Sequence, residues 1–358
     1  MGKIMIITFL FLVFMNICSC SSEDLPFADE ADESETGVEV IVGNDPNNTV
    51  FWLNAICEDE DYVYVSSHVK QSGFTNKNQN IIRIAKSDGS VTDLNLRGYN
   101  LGIYKGYLYF LGDNGYYFYR LNLTEPDAPP KCIALNSMYS YTILNDRIYP
   151  SGNPNGILSM NVDGSDKEET RRGDGKRYYV VYGYDDRYIY TVYPFEYEME
   201  KIDGREICVQ YLYRMGYDHE NEEKLLRLEN EVPNCFSQIN QVMIISGGYA
   251  YYMAQYSDRH ELARNKLTLN SEKEIIYRSS ENEAIYLTAI TNDGIYMQKF
   301  DIGDQRAYSS LRHPNTKLSL DGKTESPIDL DKKGLLFFVS RFDGKLYYVE
   351  DDKIVPLG

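Results

Sequence analysis

Side chains able to do chemistry are few and scattered in this sequence. Its four histidines, His68, His219, His260 and His313, each stand alone, and its six cysteines include no Cys-x-x-Cys pair. A zinc ribbon or a thioredoxin-like redox motif is thereby excluded. No Gly-x-Gly-x-x-Gly, Walker A, His-Glu-x-x-His or Gly-x-Ser-x-Gly pattern occurs, so the nucleotide and zinc-protease readings fall away. Acid-dense spots at Glu58 to Asp61 and Asp301 to Asp304 lack the alternating ligand pattern of an EF-hand loop. They could hold calcium, solvated turns explain them equally well, and neither a metal site nor a cofactor is assigned. Carboxylates are too abundant for spacing to single out a glycosidase pair. What remains is arginine and histidine set among aromatics in three stretches: Phe195, Tyr197 and Arg205; Arg259, His260 and Arg264; Phe300, Arg306, Tyr308, Arg312 and His313. That mixture suits recognition of a protein, or of an anionic or sugar ligand.

The N-terminus carries a different signal. Ile4 to Met15 is apolar except for Thr8, follows Lys3 and runs into Ile17-Cys18-Ser19-Cys20. The run is too short to cross roughly 30 Å of hydrocarbon as a helix and reads as the apolar core of a signal peptide. Ile17 to Cys20 resembles the bacterial lipobox, which implies that residues 1–19 are removed and that Cys20 is acylated. Residues 21–69 contain no Lys or Arg, and nine acids lie between Glu23 and Asp45. One sign of charge with little hydrophobicity resists collapse, so residues 20–37 are expected to form an acidic tether. Cys57, Cys132, Cys208 and Cys235 are expected as small buried hydrophobes, a disulfide being permitted but not indicated by spacing.

Composition narrows the partners. The 358 residues carry 36 Lys and Arg against 54 Asp and Glu, a net charge of −18, so a polyanion finds no basic footprint and nucleic acid is not an expected partner. Attachment to anionic lipid must come from acyl chains rather than from side chains. A hydrophobic fraction of 43% and a charged fraction of 25% are those of a globular protein, but 33 tyrosines are far more than usual.

Those tyrosines belong to a repeat. Tyr64, Tyr109, Tyr149, Tyr190, Tyr251, Tyr296 and Phe337 anchor strand-like segments of period two, separated by 45, 40, 41, 61, 45 and 41 residues. A period near 40 built of alternating strands predicts an all-β propeller with one four-stranded blade, strands A to D, per repeat. Seven blades over residues 38–358 are expected, with six or eight as alternatives. Short polar pairs, Lys105-Gly106, Asn145-Asp146, Asp185-Asp186, Gly247-Gly248 and Asn292-Asp293, suit tight A-to-B hairpins of positive φ. Asp88-Gly89-Ser90, Asp163-Gly164-Ser165 and Asp321-Gly322-Lys323 follow in phase as C-to-D turns. Tyr-x-Tyr places both rings on one face of a strand, where neighbouring blades pack. Counting strands leaves either blade six without D or blade seven without A, and Val38-Glu39-Val40-Ile41-Val42 is a candidate to close the ring.

Ile81-Ile82-Arg83-Ile84 through Ser90, and Leu212-Tyr213-Arg214-Met215, resemble the repeat of propeller domains of unknown function in lipoproteins and wall proteins of Gram-positive bacteria, whose fold is shared with TolB-like propellers. The resemblance covers about Thr49 to Gly358 and implies the fold, not an activity. B-to-C connections swell at Lys70 to Asn80, Pro194 to Arg205, Ser257 to Lys266 and Phe300 to Asn315, and strand alternation collects them on one face. The chain is therefore expected to be a monomeric, lipid-anchored propeller on the extracytoplasmic face of a membrane. It would bind an extracellular protein or glycan without catalysis. The alternative is a carbohydrate-active hydrolase or lyase with its site at the channel mouth.

Overall fold

The structure is a computed structural model that describes residues 55–66, 80–112, 117–135, 140–151, 157–169, 179–193, 196–217, 221–231, 243–301, 314–330, 336–340 and 342–357. All of them belong to the compact unit Val38–Gly358. Cys20, the tether and Val38 to Val42 lie outside the described residues. Within the described residues every element is a strand or turn.

Seven antiparallel sheets follow one another along the chain. Blade one comprises β1 (Ile56–Glu58), β2 (Tyr62–Ser66), β3 (Asn80–Ala85) and β4 (Val91–Arg97). Blade two comprises β5 (Tyr99–Tyr104), β6 (Tyr107–Leu111), β7 (Tyr117–Asn122) and β8 (Lys131–Leu135). Blade three holds β9 (Ser140–Leu144), β10 (Arg147–Ser151), β11 (Ile157–Asn161) and β12 (Glu168–Glu169). Blade four has five strands: β13 (Val180–Tyr184), β14 (Tyr188–Val192), β15 (Glu198–Ile202), β16 (Arg205–Gly216) and β17 (Glu223–Asn230). Blade five is β18 (Met243–Ser246), β19 (Tyr249–Gln255), β20 (His260–Lys266) and β21 (Glu274–Arg278). Blade six is β22 (Glu283–Thr291), β23 (Gly294–Asp301), β24 (Thr316–Leu318) and β25 (Glu325–Pro327). Blade seven shows β26 (Leu336–Val339), β27 (Leu346–Glu350) and β28 (Lys353–Pro356). Inner strands touch around the whole circuit: β1 on β5, β5 on β9, β13 on β18, β18 on β22, β22 on β26 and β26 back on β1, with β10 meeting β13. The molecule is a seven-bladed β-propeller.

The tyrosines hold the blades together. Tyr64, Tyr109, Tyr190 and Tyr296 are each only 1% exposed. Tyr64 packs with Leu101, Ile103 and Leu108 of the next blade, and Tyr251 with Ile285 and Leu287 of its next. The first ring of each pair is half-buried and carries a cation from strand C. Arg83 lies 4.9 Å over Tyr62, Arg120 4.8 Å over Tyr107, Arg214 4.7 Å over Tyr188 and Arg264 4.8 Å over Tyr249. Each such contact contributes about 0.5–1 kcal/mol where solvent reaches it. The Arg of strand C is thus a packing residue.

Several expectations need correction. Strand C of blade five is His260–Lys266 and not Leu267 to Leu269, so Ser257 to Lys266 is no insert: Tyr256 and Arg259 close a short turn through Tyr256 N–H to the Arg259 carbonyl, 2.8 Å. Lys105-Gly106, Asn145-Asp146 and Gly247-Gly248 have positive φ as expected, whereas Asp185-Asp186 and Asn292-Asp293 do not. At the first of these the aspartate side chain does the turning, Asp185 Oδ1 accepting the Arg187 and Tyr188 amides at 2.8 Å. Blade six has its D strand, β25. Blade seven has its A strand, because β26 touches β22 and β1, the first strands of its neighbours. Asp343-Gly344 therefore closes the A-to-B hairpin, and Tyr347 donates to Asp343 at 2.7 Å as Tyr64 donates to Asp59 at 2.9 Å. Phe337 sits on strand A, and among the described residues blade seven lacks D. Of the cysteines, Cys57 is buried, Cys132 is exposed, and Cys208 is buried and disulfide-bonded, with its partner sulfur outside the described residues. Cys132 therefore departs from the expected buried role: on β8 it points outward beside exposed Lys131.

Candidate functional site

Alternating strand direction puts the B-to-C connections and the links between blades on one rim, the upper, and the A-to-B and C-to-D turns on the lower. The upper rim is where the inserts were expected to gather. In blade four the insert is not a loop but a hairpin. β16 is long enough to pair with β14 through Leu212 to Gly216 and, further on, with β15 through Arg205 to Val209. Asp203 and Gly204, with φ of 50° and 84°, form the two-residue turn that such a hairpin favours. β17 backs its other side from Cys208 to Arg214.

The hairpin tip reaches the next blade. Arg205 at the turn donates to Glu231 at 3.0 Å, in the link to blade five, and to both Asp258 oxygens at 3.0 and 3.1 Å, in the B-to-C turn of blade five. Ser257 also donates its backbone amide to Glu231 at 3.1 Å. Arg259 continues the chain of charge, donating to Asp258 at 3.1 Å and to Glu261 at 3.0 Å. Glu261 is the deepest member. Its side chain is 2% exposed and also receives Lys273 at 2.9 Å and Arg278 at 3.0 Å. Burial alone would raise its pKa, but the hydrogen bonds from Lys273 and Arg259 outweigh it and hold the carboxyl below the ordinary range. Hydrogen bonds from Arg205 pull Asp258 down to about 2. Four cations (Arg205, Arg259, Lys273, Arg278) thus meet three carboxylates (Glu231, Asp258, Glu261), leaving one net positive charge on a body of −18.

The structure separates the remaining candidates. Tyr197 and Met199, beside and on β15, are 39% and 52% exposed. His260 is buried on β20. Its amide donates to Ser279 Oγ at 2.9 Å, and burial pushes the imidazole below its ordinary pKa. Arg264 lies towards the lower rim, holding Glu274 at 2.8 Å and the Leu320 carbonyl of blade six at 2.7 Å. Phe300 ends β23 stacked on Tyr286 with ring centroids 5.2 Å apart. Phe195, Arg306, Tyr308, Arg312 and His313 lie outside the described residues. Of the described arginines, Arg205 and Arg259 converge on Asp258 and Arg264 does not. Glu231, Asp258, Glu261, Lys273 and Arg278 were missed, because in sequence they are ordinary surface charges. The one usable signal is that Glu261 alternates in phase with Ala263 and Asn265 on a buried strand.

Among the described residues no group of three His, Cys, Asp or Glu side chains is placed to hold a metal ion. No helix there is long and apolar enough to cross a membrane. The arrangement can present a braced, polar-rimmed surface. Its carboxylates are engaged by cations.

Fold and site define a β-propeller able to act as a scaffold or binding module. No family profile matches the sequence, and no curated protein matches it. Solved structures similar to it include TolB from Acinetobacter baumannii, 9% identical over 74% of this chain and 62% of that one, with a TM-score of 0.36. The N-terminal domain of Nup159 is 11% identical over 85% of this chain and 75% of its own, with a TM-score of 0.34. The computationally designed Ika8 protein is 10% identical over 89% of each chain, with a TM-score of 0.36. This chain thus spans less than two thirds of the TolB chain.

Proposed function

We propose that the chain is a lipid-anchored, extracytoplasmic propeller that binds a protein or glycan partner, without catalysis, at the upper rim of blades four to six. The observation that carries this reading is the blade-four hairpin. Its tip is braced across the blade boundary by Arg205 on Asp258 and Glu231, while Tyr197 and Met199 on the same hairpin stay exposed. Exposed aromatic and thioether groups on a mount braced at its tip have the make-up of a recognition surface. The disulfide at Cys208 accords with an oxidising compartment. The lipobox-like Ile17 to Cys20 supports the anchor.

Two measurements test the two halves separately. Replacing Cys20 with Ala should move the protein from the membrane to the soluble fraction, or stall its processing. Unchanged partition with unchanged mass of the mature N-terminus rejects the anchor. Replacing Tyr197 and Met199 together with Ser should leave the sheet signal in circular dichroism intact and weaken capture of an envelope protein, or of a glycan on an array, by about tenfold or more, as expected for exposed anchors. Equal capture by variant and parent places the binding face elsewhere.

A further inference from the structure

We infer that the cations gathered on Glu261 form a binding site for one phosphoryl group, free or carried on a sugar. Glu261 lies on β20, opposite Arg278 of β21 and Ala254 of β19. Tyr252 and Ala263 share that face of blade five and belong to one apolar core with Leu228 of blade four, so the face turns toward blade four. The Glu261 side chain is 2% exposed, and one cation would balance its charge. Three are present. Arg259 Nε and Arg278 Nε donate to Oε1 at 3.0 and 3.1 Å, Arg278 Nη2 lies 3.0 Å from the same oxygen, and Lys273 Nζ donates to Oε2 at 2.9 Å.

The acids around this cluster are already engaged. Asp258, which Arg259 Nη1 also reaches, is held by both ends of the Arg205 fork at 3.0 and 3.1 Å. Arg205 takes Glu231 as well, and Arg227 holds Glu229 on β17 at 2.7 Å. Among the described residues, Arg259 Nη2, Arg278 Nη1 and one N–H of Lys273 are left without a protein acceptor. Their side chains are 30, 55 and 32% exposed, so a solute can reach them.

The number and kind of these donors select the ligand. One guanidinium fork satisfies the two oxygens of a carboxylate, whereas a phosphoryl group offers three oxygens to donors arriving from separate side chains. Two guanidinium groups on one oxygen atom repel each other, and Glu261 pins them, so the donors stand ready before a ligand arrives and little ordering remains to oppose binding. Tyr256 borders the cluster, its ring centre 4.5 Å from the Arg259 guanidinium and 5.7 Å from the Lys273 ammonium. An aromatic wall beside a few fixed polar donors suits a phosphoryl group borne on a sugar. The surplus charge is local on a body of −18, which favours a single group over a polyanion.

The inference deepens the reading of the upper rim as a recognition surface and rests on that reading for its natural partner, but the site is tested without the partner. Inorganic phosphate, and in a second arm a hexose phosphate, is titrated into the full chain in detergent and followed by phosphorus NMR line width and by calorimetry. The parent should bind saturably. Arg278→Gln and Lys273→Gln should each bind about tenfold more weakly or worse, the loss expected for a hydrogen bond to a charged group. Their sheet signal in circular dichroism should be unchanged, because Glu261 keeps two cations in each. Tighter binding of the hexose phosphate assigns the group to a sugar, equal binding assigns it to free phosphate, and both keep the site. No saturable binding by the parent up to about 10 mM phosphate, or equal binding by parent and Arg278→Gln, overturns it, and the cluster then only ties β20 to β21. Phosphate binding kept by a Tyr197→Ser, Met199→Ser variant whose partner capture is also unchanged rejects the hairpin surface and keeps the phosphoryl site.

Discussion

Tyr64, Tyr190 and Tyr347 each donate a phenolic hydrogen to the aspartate that shapes the A-to-B turn of their blade, Asp59, Asp185 and Asp343. The turn and the inter-blade core are thereby locked by one contact. Tyr109 and Tyr149 are buried with their neighbours, and desolvation pushes both phenols up to about 12. An unfolded tyrosine ionises near 10, so the folded state holds protons that the unfolded state releases between those values. The resulting stability is complete below pH 10 and declines as pH rises towards 12. Phenolate absorbance followed against pH should therefore show a late, steep rise coincident with loss of sheet signal. Independent titration of most of the 33 tyrosines near pH 10, with the sheet intact, would contradict the packing.

At the scale of the element, the Asp-Gly pairs separate into two kinds. A Cβ on Gly322 would lie 2.4 Å from the Ile276 carbonyl of the preceding blade, and one on Gly164 2.5 Å from the Ile133 carbonyl. These C-to-D turns clasp the neighbouring D strand. Gly89 has the same left-handed backbone, φ of 72°, but open space around it. Gly89→Ala should cost about 1–2 kcal/mol for conformation alone. Gly322→Ala should cost more, since backbone must also shift, and denaturant unfolding of the two variants makes the comparison. Equal losses would remove the clasp. Blade number and most B strands were legible because Tyr-x-Tyr alternation needs only local pattern. Strand C of blade five was not, because His260-Glu261-Leu262-Ala263-Arg264 looks like a polar loop until Lys273, Arg259 and Arg278 converge on Glu261 from elsewhere in the chain. The candidate site fared likewise: Arg205 and Arg259 were found by composition, but their partners Glu231 and Asp258 are acids like any others in so acidic a sequence. Blade seven was misread for a third reason. Phe337 and Tyr347 both suit a B strand, and only the contacts of β26 with β1 and β22 decide between them.

For the whole molecule, the junction of blades seven and one is the seam. Phe338 is 7% exposed there, against Ala55, Ile56, Val63, Val65 and Ile84. Phe338→Ala should cost about 3–5 kcal/mol, and hydrogen exchange should quicken in β1, β26 and β27 before blades three to five. A uniform increase over all blades would mean that the ring opens as a unit. The seam also sets a schedule. β1 lies at the start of the described chain and β26 near its end, so as the chain emerges N-terminus first the first blade waits for almost all of the rest before its partner exists. Until then the apolar face of Ile56 and Val63 has nothing to close against, and whatever escorts the growing chain must shield that face for longer than any other.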